Sequence, residues 1–188
     1  MFRVDIEKSL EILHQGGLIL YPTDTVWGIG CDATNNASVE RIYTVKQRHE
    51  ARTMLCLADG ADMIAAYVDH VPAVAGRLIE ESAKPLSMIY PGAKNLAVNL
   101  IAQDGSVGIR IVQDSFCRQL IKAFGKPIVS TSANISGKPT PAIFDEVSDE
   151  IREAVDYIVR WRQDDRQPAT VSSVIQLNAD GSYLVIRN

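Results

Sequence analysis

Three cysteines and three histidines are all that the 188-residue chain offers toward soft metal ligation. Cys31, Cys56 and Cys117 form no C-x-x-C pair, and His14, His49 and His70 stand far apart, so a zinc site is not expected. Cys56 and Cys117 sit among apolar neighbours and read as free buried thiols. No run approaches the roughly 18 apolar residues of a membrane span, and the opening MFRVDIEKSL carries acids where a secretory leader would be apolar. A cytoplasmic protein without a membrane partner is therefore expected. Positive charge is not in excess either. Nineteen Lys and Arg against 23 Asp and Glu leave a net charge of -4, which argues against a general nucleic-acid coat but allows a local basic patch. Internal repeats and low-complexity linkers are absent, so one domain over 1–188 is expected.

What is present is an ordinary globular composition, 46% apolar and 22% charged, enough for one well-filled core. Ile6, Leu10 and Leu13 recur at helical spacing and a glycine pair ends the run, predicting an amphipathic helix over DIEKSLEILHQGG. NNASVERIYTVKQR, VPAVAGRLIEESA, SFCRQLIKAF and DEVSDEIREAV also predict helices. Strands are expected at 18–21, 26–29, TMLCLA, 96–101, 107–111, PIVS and DYIVR, and VSSVIQLNADGSYLVIRN predicts a closing hairpin. Helices mixed with hairpins imply an α/β fold with a twisted, mixed sheet, not a repeating βαβ array.

Three clusters could carry chemistry. In YPTDTVWGIG, Pro22 fixes the backbone after a strand, Thr23, Asp24 and Thr25 offer short polar side chains, and Gly28 and Gly30 allow close approach; the stretch is either a capped turn or a ligand loop. VKQRHEAR brings Lys46, Arg48 and Arg52 to a helix end, where cations either suit the helix dipole or hold a triphosphate, a carboxylate or an RNA backbone. VSTSANISGKP packs Ser130, Thr131, Ser132 and Asn134 behind a buried strand. That is either a hydroxyl-rich turn or a place where a ligand meets hydroxyls and backbone N–H groups together. It is not a Walker motif, and no histidine follows His70 to form a serine triad.

Taken in order, YPTDTVWGIG, KQR, SVGIRI and STSANISG resemble the YrdC-like threonylcarbamoyl-AMP synthases of the Sua5/YciO/YrdC family, over nearly the full chain and in the short form. The resemblance implies a twisted open α/β sheet flanked by helices, related to dihydroxybutanone-phosphate synthase. It implies synthesis of L-threonylcarbamoyladenylate and pyrophosphate from L-threonine, bicarbonate and ATP, with Mg2+ brought by the ATP. The product would serve N6-threonylcarbamoylation of adenosine 37 in tRNA, with other proteins of that pathway as acceptors and weak tRNA or double-stranded RNA binding.

Carried over by residue, Lys46, Arg48 and Arg187 would meet the phosphates and the carbonyl chemistry. Ser130, Ser132, Asn134 and Ser172 would hold the nucleotide, and Tyr21 and Thr25 the threonine. Arg52 would add a basic contact, because ARTML stands where relatives write a lysine-proline pair. YPGAKNLAVNL stands where they write WPGPLTLVL, and RWRQDDRQPAT where they write a DGG loop. These departures keep open a double-stranded RNA-binding or regulatory protein of the same fold, and a different carbamoyl or adenylyl transfer.

Overall fold

The computed structural model of the chain describes residues 2–47 and 54–188. Helix α1 (Arg3–His14) leads into β1 (Ile19–Tyr21) and β2 (Gly28–Gly30), then α2 (Asn36–Val45) and β3 (Leu55–Ala58). Two helices follow, α3 (Ala61–Tyr67) and α4 (Val74–Glu81), and two strands, β4 (Leu86–Tyr90) and β5 (Val107–Ile111). Beyond α5 (Ser115–Phe124) come β6 (Ile128–Ser132), a short 3-10 turn at Phe144–Glu146, α6 (Asp149–Ala154), β7 (Tyr157–Ile158), β8 (Ser173–Leu177) and β9 (Tyr183–Arg187). Among the described residues the strands join one nine-stranded mixed sheet, ordered β7-β1-β2-β6-β3-β5-β4-β8-β9. Parallel pairs are β1–β7, β3–β5 and β4–β8; the others are antiparallel, including the expected β8–β9 hairpin.

Local chemistry sets the helix ends. Asn35 accepts from the N–H groups of Ala37 and Ser38 to open α2, and Asp114 accepts from Cys117 N to open α5. Gly125, at φ 74°, closes α5 in the left-handed region. Alternation along each strand then sorts side chains to two faces. Leu18, Leu20, Cys56, Ala58 and Val129 enter one core beside Val39, Ile42 and Ile64 of α2 and α3. Ile19, Tyr21, Leu57 and Ile128 enter the other, under Leu13 of α1 and Phe116, Leu120 and Phe124 of α5. Each large side chain buried this way contributes about 1.5–3 kcal/mol. Cys31, Cys56 and Cys117 are free and buried as expected, and burial pushes the Cys56 thiol up to about 12.

Two expectations need correction. Residues 96–101 are not a strand. Asn95, at φ 58°, turns the chain, and the segment ties itself to the start of α2 through Ala97 N to Ala33 O (2.9 Å) and Val98 N to Asn36 Oδ1 (2.8 Å). Its Leu96 and Leu100 still reach the core, so a buried turn imitated a strand in the apolar pattern. The strand antiparallel to SVGIRI is LSMIY, one segment earlier. Helix α3 was not expected at all.

Gly30 lies beneath the ring of Tyr21. A Cβ there would stand 2.6 Å from Tyr21 Cε1 and 2.8 Å from Val129 O, the carbonyl that accepts the Tyr21 hydroxyl. Gly30→Ala is expected to cost about 1–3 kcal/mol by overpacking. Urea unfolding measures it, and an unshifted midpoint would contradict this packing.

Candidate active site

The face of the sheet under α1 and α5 is not covered along its whole width. Beyond those helices the same face presents Gly28, Leu55, Arg110, Ser130 and Ser132, and there a cleft of about 560 Å³ opens. The strand registers bring these residues together: Gly28 faces Ser132, Leu55 faces both Ser130 and Gly108, and Leu57 faces Arg110. Gly28 is required by closeness, since a Cβ would lie 3.0 Å from the Ser130 hydroxyl. Lys46 at the end of α2, Asn134 beyond β6, Ser172 before β8 and Arg187 on β9 complete the walls. Residues from both ends of the chain thus meet at one surface.

Thr25 and Arg110 form one group in the lining. Arg110 is 3% exposed; its Nη2 donates to Thr25 Oγ1 (3.1 Å) and lies 2.9 Å from Asp24 Oδ1. The latter contact is an ion pair without hydrogen-bond alignment, because Asp24 Oδ1 accepts no hydrogen bond in the structure, whereas Oδ2 accepts from Gln113 N (3.1 Å). Arg110 Nε is buried without a partner. Thr23 Oγ1 accepts from Thr25 N (3.0 Å), donates to Val26 O (2.9 Å) and lies 2.9 Å from Thr25 Oγ1, so the two hydroxyls share one small network.

In a second group, Lys46 is 3% exposed and its Nζ donates to the carbonyls of Ser132 (2.6 Å) and Asn134 (2.7 Å). The lysine therefore clamps the hydroxyl-rich loop while lining the cleft. Asn134 Nδ2 donates to Ile135 O (3.0 Å) and Lys138 O (2.8 Å), which fixes the amide and leaves its buried Oδ1 unpaired. The Ser172 hydroxyl shares a hydrogen with Ser87 (2.8 Å), and its carbonyl accepts from Arg187 Nε (3.1 Å) and Nη2 (2.8 Å). Lys46, Arg110 and Arg187 supply positive charge, and among the described residues no carboxylate lines the cleft.

Of the residues singled out from sequence, Thr25, Lys46, Ser130, Ser132, Asn134, Ser172 and Arg187 line the cleft. Arg48 and Arg52 lie outside the described residues. Tyr21 is different: it does not line the cleft but is wholly buried with Leu13 and Phe116. Its hydroxyl donates to Val129 O (3.2 Å) and also meets the Ser130 side chain. Burial first, and the Cys117 sulfur second, push its phenol well above the usual tyrosine value. Tyr21 faces the correct side of the sheet but sits too deep, a strut below Ser130. Arg110 was missed, although it is the one charge in the strand VGIRI, and a charged residue inside a buried strand is itself a signal. Trp27, 5% exposed, was also missed as a wall.

A family model described as "Telomere recombination" (Sua5_yciO_yrdC) matches residues 11–188. The chain belongs to the Sua5/YciO/YrdC family. Among curated members of the Sua5/YciO/YrdC family, the threonylcarbamoyl-AMP synthase of Pseudoalteromonas translucida (strain TAC 125) is 32% identical over 157 residues, covering 82% of this chain and 84% of that protein. The threonylcarbamoyl-AMP synthase of Vibrio cholerae serotype O1 (strain ATCC 39315 / El Tor Inaba N16961) is 28% identical over 165 residues, covering 86% and 88%. Among solved structures of this family, E. coli YciO superposes with a TM-score of 0.85 at 26% identity, covering all of this chain and 90% of the other. P. abyssi Sua5 complexed with L-threonine superposes at 0.82 and 24% identity, covering 93% of this chain. The chain spans about half the length of that archaeal protein, 51%. At that identity the likeness establishes the fold.

Proposed function

We propose that the protein is a threonylcarbamoyl-AMP synthase. The observation that carries this is one cleft whose lining joins two unlike groups: a guanidinium with a threonine hydroxyl, Arg110 with Thr25, and a lysine, serine and asparagine cluster, Lys46 with Ser132 and Asn134. The volume falls within the usual range for small-molecule pockets. Support comes also from the curated relatives of similar length, which carry this activity in their names. The two groups suit an amino-acid carboxylate and a nucleotide in turn.

Bicarbonate and the threonine amine first condense to a carbamate with loss of water. A carbamate oxygen then attacks the α-phosphorus of ATP, the bond to the bridging oxygen breaks, and pyrophosphate leaves. Placement and charge stabilisation are the protein's part. Arg110 and Thr25 orient the amino acid, Lys46 and Arg187 face the phosphates, and Asn134 Oδ1 with the serine hydroxyls takes donors of the nucleoside. Arg48 is proposed at the phosphates as well. Among the described residues no group of three or more His, Cys, Asp or Glu could cage a metal, and the cleft has no carboxylate, so a resident magnesium ion does not fit. Magnesium enters here as part of the ATP substrate. Transfer of the product to tRNA by other proteins completes the proposal.

Incubation with ATP, labelled bicarbonate and L-threonine, followed by detection of pyrophosphate and the labelled adenylate, is the test. Threonine-dependent formation of both products is expected. A protein that binds duplex RNA and forms neither product would be the regulatory alternative instead.

A further inference from the structure

The segment RWRQDDRQPAT packs against the back of the amino-acid end. Arg162 within it adopts φ 66°, a left-handed backbone that side-chain-bearing residues seldom take. Its Nη1 donates to Thr23 O (3.0 Å) and to Asp114 Oδ2 (3.3 Å), and its Nε donates to Asp165 Oδ2 (3.3 Å). Asp114 uses its other oxygen to cap α5. One guanidinium therefore joins three pieces of chain: the Thr23–Thr25 turn, the start of α5, and its own loop. The gap between this loop and the backs of Thr25 and Trp27 is only about 10 Å³, room for no more than a water.

Arg162 reaches the cleft wall through one intermediary, Thr23, which bonds Thr25 directly. The carbonyl that Arg162 holds belongs to the residue whose hydroxyl accepts Thr25 N and meets Thr25 Oγ1, and Thr25 Oγ1 in turn accepts from Arg110. We propose that Arg162 is a positioning residue for the amino-acid substrate, fixing the Thr23–Thr25 turn and with it the direction of the Arg110 fork. The proposal rests on the synthase reading above. The loop has other anchors. Asp5 accepts from Arg160 N, Trp161 N and the Tyr157 hydroxyl, Trp161 packs edge-on to Phe2, and Ala169 N donates to Ala142 O. Loss of the guanidinium therefore leaves the loop attached and changes chiefly the turn.

The experiment compares wild type, Arg162→Gln, Arg162→Lys and Gln163→Ala in adenylate formation, varying L-threonine and ATP separately, with a thermal melt of each. The Gln163 side chain donates to the nearby Val159 carbonyl (2.8 Å), and this residue serves as the control within the loop. Arg162→Gln should raise the threonine KM roughly five- to tenfold, as expected for a lost charge-assisted contact, and hold the ATP KM within about twofold. Arg162→Lys should recover part of the loss, and Gln163→Ala none of it should show. Equal rises in both KM values, or no rise in either, would overturn the assignment while leaving the synthase reading intact. Should Arg162→Gln fail to fold, the same split is read from Arg162→Lys. Wild-type protein that forms no adenylate removes the synthase reading and this inference with it.

Discussion

Arg110→Ala is expected to lose both stability and threonine-dependent synthesis. The Asp24 side chain is only 8% exposed, and Arg110 is the cation against it. Removing one member of a buried pair strands the other charge, which costs about 3–5 kcal/mol. In a domain of this size each kcal/mol moves the melting temperature by about 2–4 °C, so a fall on the order of 10 °C is expected. Adding Asp24→Asn to Arg110→Ala should return part of that stability, because the stranded charge is gone. It should return none of the activity, because the fork facing the substrate is still absent. Calorimetry of the two variants and the single Asp24→Asn closes a double-mutant cycle. A coupling energy near zero would mean that the pair is not a structural unit.

Lys46→Met should weaken ATP binding by about 1.5–3 kcal/mol, a ten- to hundredfold rise in Kd, because a charge-assisted donor is lost while the stem volume remains. The same amine holds the carbonyls of Ser132 and Asn134, so the hydroxyl loop should also become more open to hydrogen exchange around Ala133 and Asn134. Isothermal titration with ATP, beside a circular dichroism spectrum, separates the two effects. Unchanged affinity in a natively folded variant would take Lys46 away from the phosphates.

What the sequence made legible was mostly local. The helix periodicities, the closing hairpin and the buried thiols all rest on neighbours a few residues apart, and they appear in the structure. The row Ser130, Ser132 and Asn134 was visible because one short stretch, the end of β6 and the turn after it, carries all three. Arg110 was not assigned a role because its partner, Asp24, lies 86 positions earlier and meets it only through the sheet. Tyr21 shows a different limit. Alternation tells which face of a strand a residue occupies, but not whether a helix covers that part of the face. For Tyr21 that depends on α5, which packs over β1 from almost a hundred residues away. Residues 96–101 failed for a third reason: a buried turn and a buried strand have the same apolar content, and Asn95 decides between them by its backbone.

The walls of the cleft run from Thr25 to Arg187, and the last of them, Ser172 and Arg187, belong to the final two strands. A ribosome delivers the polypeptide in the opposite sense to that dependence. Turn, lysine clamp, Arg110 and hydroxyl loop all emerge first, and the remaining wall follows within about three to ten seconds at ordinary elongation rates. During that interval the nascent protein owns the Ser132 and Asn134 wall of the cleft without Arg187. A message cut short before β8 would yield a chain able to pair most of its sheet and unable to complete the site. The complete cleft therefore waits for β9 to be made.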